Sequence, residues 1–378
     1  EKFLLSWKPI HLCWWFEKNN LKIPKYFIGV TPPTVTTQAA SSVAATSFTG
    51  NGNITATGGA NATRRGFAYK ERLLSSLSTN LVFYCKLDEA SGNAVDSIGS
   101  LALINSNVTY AACKINNGAV FNGSSAQFAI TDVASGGTLD FGTGNFSISF
   151  WAYIENTADY GAIIVKRANG ANAGYQIYKD TAEKFEIYFH DGTDACAVTT
   201  STGITTTWCH LVVVKDGNTL RTYVNGTANN TGDLTAVGSG SNASDFEVGN
   251  RAADGQWFSG KVDEIGIWTR ALSSTEVTAL YNNQNTDPTT SDSVAYDDGD
   301  FGTGAFSKSV TGLTAVTAYR ARAYAVNSAG TSYGSTVDVT TANAGPANLK
   351  TYNTNPLSNI KTINTNVIAN VKSLDTNV

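Results

Sequence analysis

The stretch from Val262 to Leu280 constrains the fold more than any other. Val262 to Trp268 alternates as a strand and runs into Arg270-Ala271-Leu272. Ser273 then stands three residues before Glu276, the spacing of a capping box, so a short helix is predicted to begin there. Before this helix the domain shows no long segment of helical period. Phe146, Ile148 and Phe150 alternate with Ser147, Ser149 and Trp151. Trp208, His210, Val212 and Val214 share one strand face, and Cys209, Leu211 and Val213 share the other. A strand apolar on both faces belongs inside a two-sheet sandwich. Asp216-Gly217-Asn218 and Asn225-Gly226 are hairpin turns. With 35 Gly and only 15% charged residues, the composition is that of a β-sandwich and not of a helical enzyme.

These segments resemble a known family. Phe258-Ser-Gly-Lys-Val-Asp-Glu-Ile-Gly-Ile-Trp-Thr-Arg-Ala-Leu-Ser273 is similar to the closing motif of laminin G-like domains, the concanavalin A-like jelly roll. Leu81–Glu89 resembles the family's opening strand, with Cys85 where it usually has Trp. Lys114–Gly123, Phe146–Trp151 and the hairpin Trp208–Gly226 resemble three further motifs in the family's order. The resemblance implies a jelly roll over residues 78–286. It also implies binding of glycans or other surfaces rather than catalysis.

Residues 31–70 and 287–342 resemble the early and late strands of a fibronectin type III-like domain, the latter through Tyr319-Arg-Ala-Arg-Ala-Tyr-Ala-Val-Asn327. Neither half has enough strands to stand alone. Together they make about seven, one immunoglobulin-like sandwich. The expected architecture is all-β: a jelly roll inserted into a loop of a fibronectin type III-like sandwich, whose guest termini must lie side by side. Residues 346–378 repeat Asn-Leu/Ile/Val-Lys-Thr/Ser with a period of eleven. A right-handed helical stripe, extended pieces or a solvated linker all suit that tail. It is similar to tails of phage and prokaryotic surface proteins. The chain holds no Met and starts at Glu1, so a fragment or processed product is expected, with residues 1–30 an atypical leader.

A net charge of −4 without a basic cluster argues against nucleic acid, and no apolar run reaches the length of a membrane span. Cys85, Cys113, Cys196 and Cys209 read as buried thiols, with Cys196–Cys209 the pair to test for a bridge. No nucleophile elbow, zinc helix or phosphate loop is present. Of the three His, His210 is expected to be a buried core residue. The glucanases of the fold need two carboxylates on one strand face. Asp263 and Glu264 are adjacent and should point to opposite faces, so no enzyme is expected.

Asp263 is expected on the face of Ile265 and Ile267, where a carboxylate needs a partner. Either backbone amides or a structural Ca2+ held by Asp263, Asp88 and Asp96 would supply one. Sugar binding needs an exposed aromatic face with planar polar groups nearby. Trp257, Tyr160, Arg251, Asp254 and Gln256 lie in loop-like stretches and are the candidate ligand-binding residues, whereas Trp151, Trp208 and Trp268 belong to the sandwich. The expected function is non-enzymatic recognition or adhesion at an extracellular, cell or virion surface such as a phage tail, with a glycan or cell-surface ligand. The C-terminal tail is a route to a homo-oligomer. An accessory carbohydrate-binding module of a larger enzyme and a ligand-free structural spacer are the alternatives.

Overall fold

The computed structural model describes residues 29–131, 136–155, 159–167, 173–201, 206–251 and 255–344, with the backbone of two strands nearer the start. Those two, Trp14–Lys18 and Leu21–Lys25, pair antiparallel within the segment expected as a leader. The repeat tail at 346–378 and Cys13 lie outside the described residues. The chain divides into two compact units, one from Lys70 to Thr289 and one from the segments on either side of it.

The middle unit is built from two eight-stranded antiparallel sheets. One places Phe146–Ile154 between Cys209–Asp216 and the long strand Ser259–Trp268. Ser259–Trp268 also pairs with the opening strand Leu81–Cys85, so the unit's first and last strands are neighbours. The other sheet runs Ala195–Thr199, Phe185–His190, Gly174–Lys179, Gly161–Lys166 and Phe246–Val248 before its short outer strands. Phe146, Ile148, Phe150, Leu211 and Val213 from the first sheet share one core with Tyr175, Ile177, Phe185, Ile187 and Phe189 from the second. Alternation puts the intervening residues on the outer faces. On the first sheet that outer face is not left to water. Val212, Val214 and Trp268 pack there with Val277 and Leu280 of the helix Ser274–Asn285. The helix starts as its sequence requires: Glu276 N–H donates to Ser273 Oγ, and the Glu276 carboxylate accepts from Ser273 N–H at 2.8 Å.

Trp208 departs from its expected place: it precedes the strand Cys209–Asp216 and is only half-buried, against Tyr153. Trp151 and Trp268 are fully buried in sandwich strands as expected, on the face that the helix covers. Cys85, Cys196 and Cys209 are buried free thiols as expected, whereas Cys113, also free, is only half-buried.

The flanking unit joins strands from both ends of the chain. Ala62–Glu71 pairs with Ser293–Phe301, and Gly304–Thr311 pairs with Ser47–Ala56. Its five-stranded and three-stranded sheets enclose Val35, Phe48, Ile54, Phe67, Phe306, Val310, Tyr319 and Val339. The Tyr319 hydroxyl accepts from Thr314 N–H at 2.9 Å. Asn327 Nδ2 donates to Thr31 O at 2.7 Å and Thr57 O at 2.9 Å, tying the two sequence halves together.

Candidate functional site

The outer face of the second sheet carries a groove of about 390 Å³, within the range of small-ligand sites. Its floor follows from strand alternation. Tyr175 and Ile177 enter the core, so Gln176 and Tyr178 face out; Ile187 and Phe189 enter the core, so Tyr188 and His190 face out. Gln176 stands directly opposite Tyr188 across the ladder. Arg167, just past the strand Gly161–Lys166, lies over the Tyr188 ring with 5.2 Å to its centroid. Tyr160 stacks obliquely on Tyr178 at 5.8 Å and is 47% exposed, so one aromatic edge faces solvent.

One wall comes from the loop after Asn250. Arg251 Nη1 donates to Gln176 Oε1 at 2.6 Å, and Gln176 Nε2 donates to Gln256 Oε1 at 3.3 Å. Backbone bonds hold the loop on the sheet: Ala162 N–H donates to Gln256 O, and Phe258 N–H to Gly249 O. Gly255 turns the chain at φ +66°, a conformation cheap for glycine. Tyr160, Arg251 and Gln256, expected from sequence, thus come together around one groove. Trp257 lies beside it, lining an adjoining cleft of about 150 Å³ with Tyr160, Asp159 and Lys179. Asp254 lies outside the described residues. The sequence reading missed Gln176, Tyr178, Tyr188, His190 and Arg167. The signal was there in the polar, aromatic half of two alternating strands, Gly174–Lys179 and Phe185–His190.

The residues expected to hold calcium do something else. Opposite Phe150 the strand Ser259–Trp268 carries an extra residue, a bulge at which Glu264 takes φ +56°. The bulge breaks the alternation. Val262, Ile265 and Ile267 all enter the core, so Asp263 does not share a face with Ile265 and Ile267. Asp263 and Glu264 are both buried. Glu264 Oε1 accepts from Arg72 Nε at 2.7 Å, and Oε2 accepts from the Tyr84 hydroxyl and from Gln284 Nε2. Gln284 Oε1 in turn accepts from Trp151 Nε1 at 2.9 Å.

Arg72, buried completely, also pairs with Asp88. Asp96 Oδ1 accepts from Tyr84 N–H and Ile98 N–H at 3.0 and 3.1 Å. Asp263 Oδ2 accepts from Ile115 N–H at 2.8 Å, and burial, reinforced by Glu264, raises the Asp263 pKa well above the usual carboxylate range. Burial followed by Glu264 raises Tyr84 too. Among the described residues no group of three or more His, Cys, Asp or Glu gathers to hold a metal. Asp88, Asp96 and Asp263 thus do not form such a group, while Asp96 Oδ2 and Asp263 Oδ1 are buried with no hydrogen-bond partner among the described residues.

His210 is buried and its Nε2 lies 2.8 Å from Ser149 Oγ. Burial, with Lys114 adding, lowers its pKa to about 3. A ring closed off from solvent cannot serve an incoming substrate, so this Ser–His contact is structural.

Residues 122–278 match the laminin G family model described as the concanavalin A-like lectin/glucanases superfamily. The middle unit holds a concanavalin A-like domain. The middle unit supplies every residue of the groove and of the Arg72 network described above. Solved structures are similar at low identity. The binding domain of Paraclostridial Mosquitocidal Protein 1 gives a TM-score of 0.47 at 18% identity, over 54% of this chain and 52% of that one. Domain 4 of a GH43 extracellular arabinanase from Geobacillus stearothermophilus gives 0.42 at 20%, over 53% and 98%. The receptor binding domain of botulinum neurotoxin type G gives 0.42 at 17%, over 54% and 51%. The chain thus spans about half the length of the mosquitocidal and neurotoxin domains. No curated protein matches the sequence. Among the described residues no helix is long and apolar enough to cross a membrane.

Proposed function

We propose that the concanavalin A-like domain is a non-enzymatic glycan-recognition domain whose ligand lies in the groove over Gln176 and Tyr188. The observation that carries this reading is the pairing of aromatic faces with fixed planar hydrogen-bonding groups. Tyr160, Tyr178 and Tyr188 offer apolar surfaces to sugar C–H groups, while Gln176, Arg251 and Gln256 form a chain of hydrogen bonds at the same place. The sheet holds Gln176, Tyr178 and Tyr188, so little ordering of these three is required on binding. No nucleophile with a base lies in the groove, and two carboxylates flanking a bond are absent from its described lining.

In the same reading, the guanidinium of Arg72 supplies the charge balance that the sequence assigned to calcium. The flanking unit is read as a fibronectin type III-like sandwich into which the recognition domain is inserted. Two features support this: strand pairing between the chain's two ends, and the bond from Thr314 N–H to the Tyr319 hydroxyl, the geometry of a tyrosine corner. The whole would present the groove at a cell or virion surface, such as a phage tail, with residues 346–378 available for self-association.

The test is a glycan array probed with the full chain and with Tyr188→Ala. Tyr188 is half-buried and faces away from the core, so the variant keeps its fold. Binding by the parent that Tyr188→Ala loses supports the groove. Equal binding by the two proteins moves the ligand elsewhere.

A further inference from the structure

We infer that the glycan is anionic, with its acid group held at Lys179 in the narrow cleft beside the groove; the inference rests on the glycan reading above. Lys179 is an unusual residue for its place. It continues the series Tyr175 and Ile177 on the core-facing side of its strand, and it is 2% exposed. It sits at the strand's end and lines the cleft with Trp257 and Tyr160, with its ammonium itself covered. There Nζ has no hydrogen-bond partner among the described residues. A buried ammonium without a partner is costly, and natural proteins keep few of them. Burial lowers the pKa of Lys179, while the charges of Asp159, Glu183 and Asp180 oppose that effect. An anion arriving in the cleft would favour the charged form in the same way.

Tyr160 borders both cleft and groove, which makes them one continuous surface. Their described lining carries Arg167, Arg251 and Lys179 beside the carboxylate of Asp159, and Asp180 and Glu183 also act on Lys179. The cleft's volume of about 150 Å³ is below that of a stand-alone small-molecule site, so it acts as an extension of the groove. A saccharide seated over Tyr188 would stack a neighbouring ring on Trp257 and direct its carboxylate or sulfate to Lys179. Ammonium–carboxylate hydrogen bonds are about twice as strong as neutral ones, which makes this contact the discriminating one.

The experiment measures binding of the full chain to uronic-acid and sulfated oligosaccharides, each beside its neutral parent or methyl ester. Acidic members are expected to bind about tenfold or more tightly than their neutral partners, with the advantage shrinking as salt rises. Lys179→Met keeps the covered stem and removes the unpartnered charge, so it should fold. It should reduce the acidic members to the level of the neutral ones and leave the neutral ones unchanged. Arg251→Gln serves as a second variant and should weaken acidic and neutral members together, because Arg251 anchors Gln176. Neutral members binding as tightly as acidic ones, or Lys179→Met retaining the acidic preference, would overturn this inference and leave the glycan groove standing. Binding to no member of either series would overturn both.

Discussion

The proton on His210 offers a quantitative test of how dry the first sheet's helix-covered face is. The ring lies 4.9 Å from Trp151 and 5.9 Å from Tyr281, centroid to centroid, and is fully buried. Its pKa is about 3 in the folded protein, chiefly through burial. An unfolded imidazole titrates near 6.5. Above about pH 6.5 neither state binds the proton, and the group costs no stability. As pH falls from there towards 3, the unfolded chain takes up a proton that the folded protein refuses, so stability is lost. Each pH unit in that window is worth about 1.36 kcal/mol. At about pH 4 the loss is therefore about 3 kcal/mol, a large share of the about 5–15 kcal/mol typical of a domain.

Other groups titrate over the same range, so the comparison must be with His210→Gln. The amide can keep a hydrogen bond to Ser149 Oγ but cannot protonate. Urea unfolding followed by tryptophan fluorescence at about pH 7 and about pH 4 provides the two free energies for each protein. The parent-minus-variant difference should shift against the parent by about 3 kcal/mol between those pH values. A difference that stays flat would mean that the native ring accepts a proton readily. The burial argument would then be wrong.

The Arg72 network and the tryptophans give two more tests. Arg72→Met should cost about 3–5 kcal/mol in urea unfolding, because it leaves Glu264 buried without its cation; a cost under 1 kcal/mol would show the network to be dispensable. The parent's melting temperature should be the same in calcium and in chelator, and a calcium-dependent rise would return the ion to this site. Trp268→Ala removes a buried ring and its 2.7 Å bond to Leu77 O, at a cost of about 3–5 kcal/mol. Trp208→Ala, at a half-buried site outside the strand, should cost about 1 kcal/mol, so similar losses for the two would refute the placement of Trp208.

Much was legible in the sequence because it is local. Ser273 and Glu276 specify a helix start through bonds three residues apart, and the structure forms both. The alternation of Phe146, Ile148 and Phe150 and of Leu211 and Val213 names the core face, because side chains on a strand alternate by geometry. Phe258 is a core residue next to the half-buried Trp257, both just before the strand Ser259–Trp268.

What the sequence alone could not decide depends on groups distant along the chain. One extra residue at Glu264 breaks the alternation, and nothing local marks a bulge that is held by Arg72 and Tyr84, nearly two hundred residues away. With that bulge in place, the Arg72 guanidinium meets Glu264, and it also pairs with Asp88, which the local reading had assigned to calcium. The groove likewise exists only once two strands lie in register, with Gln176 opposite Tyr188 and the Arg251 loop folded over them. Periodicity shows which side chains share a face. Only the tertiary structure decides which of those faces meet each other, because pairing and burial are set by contacts across the sheets.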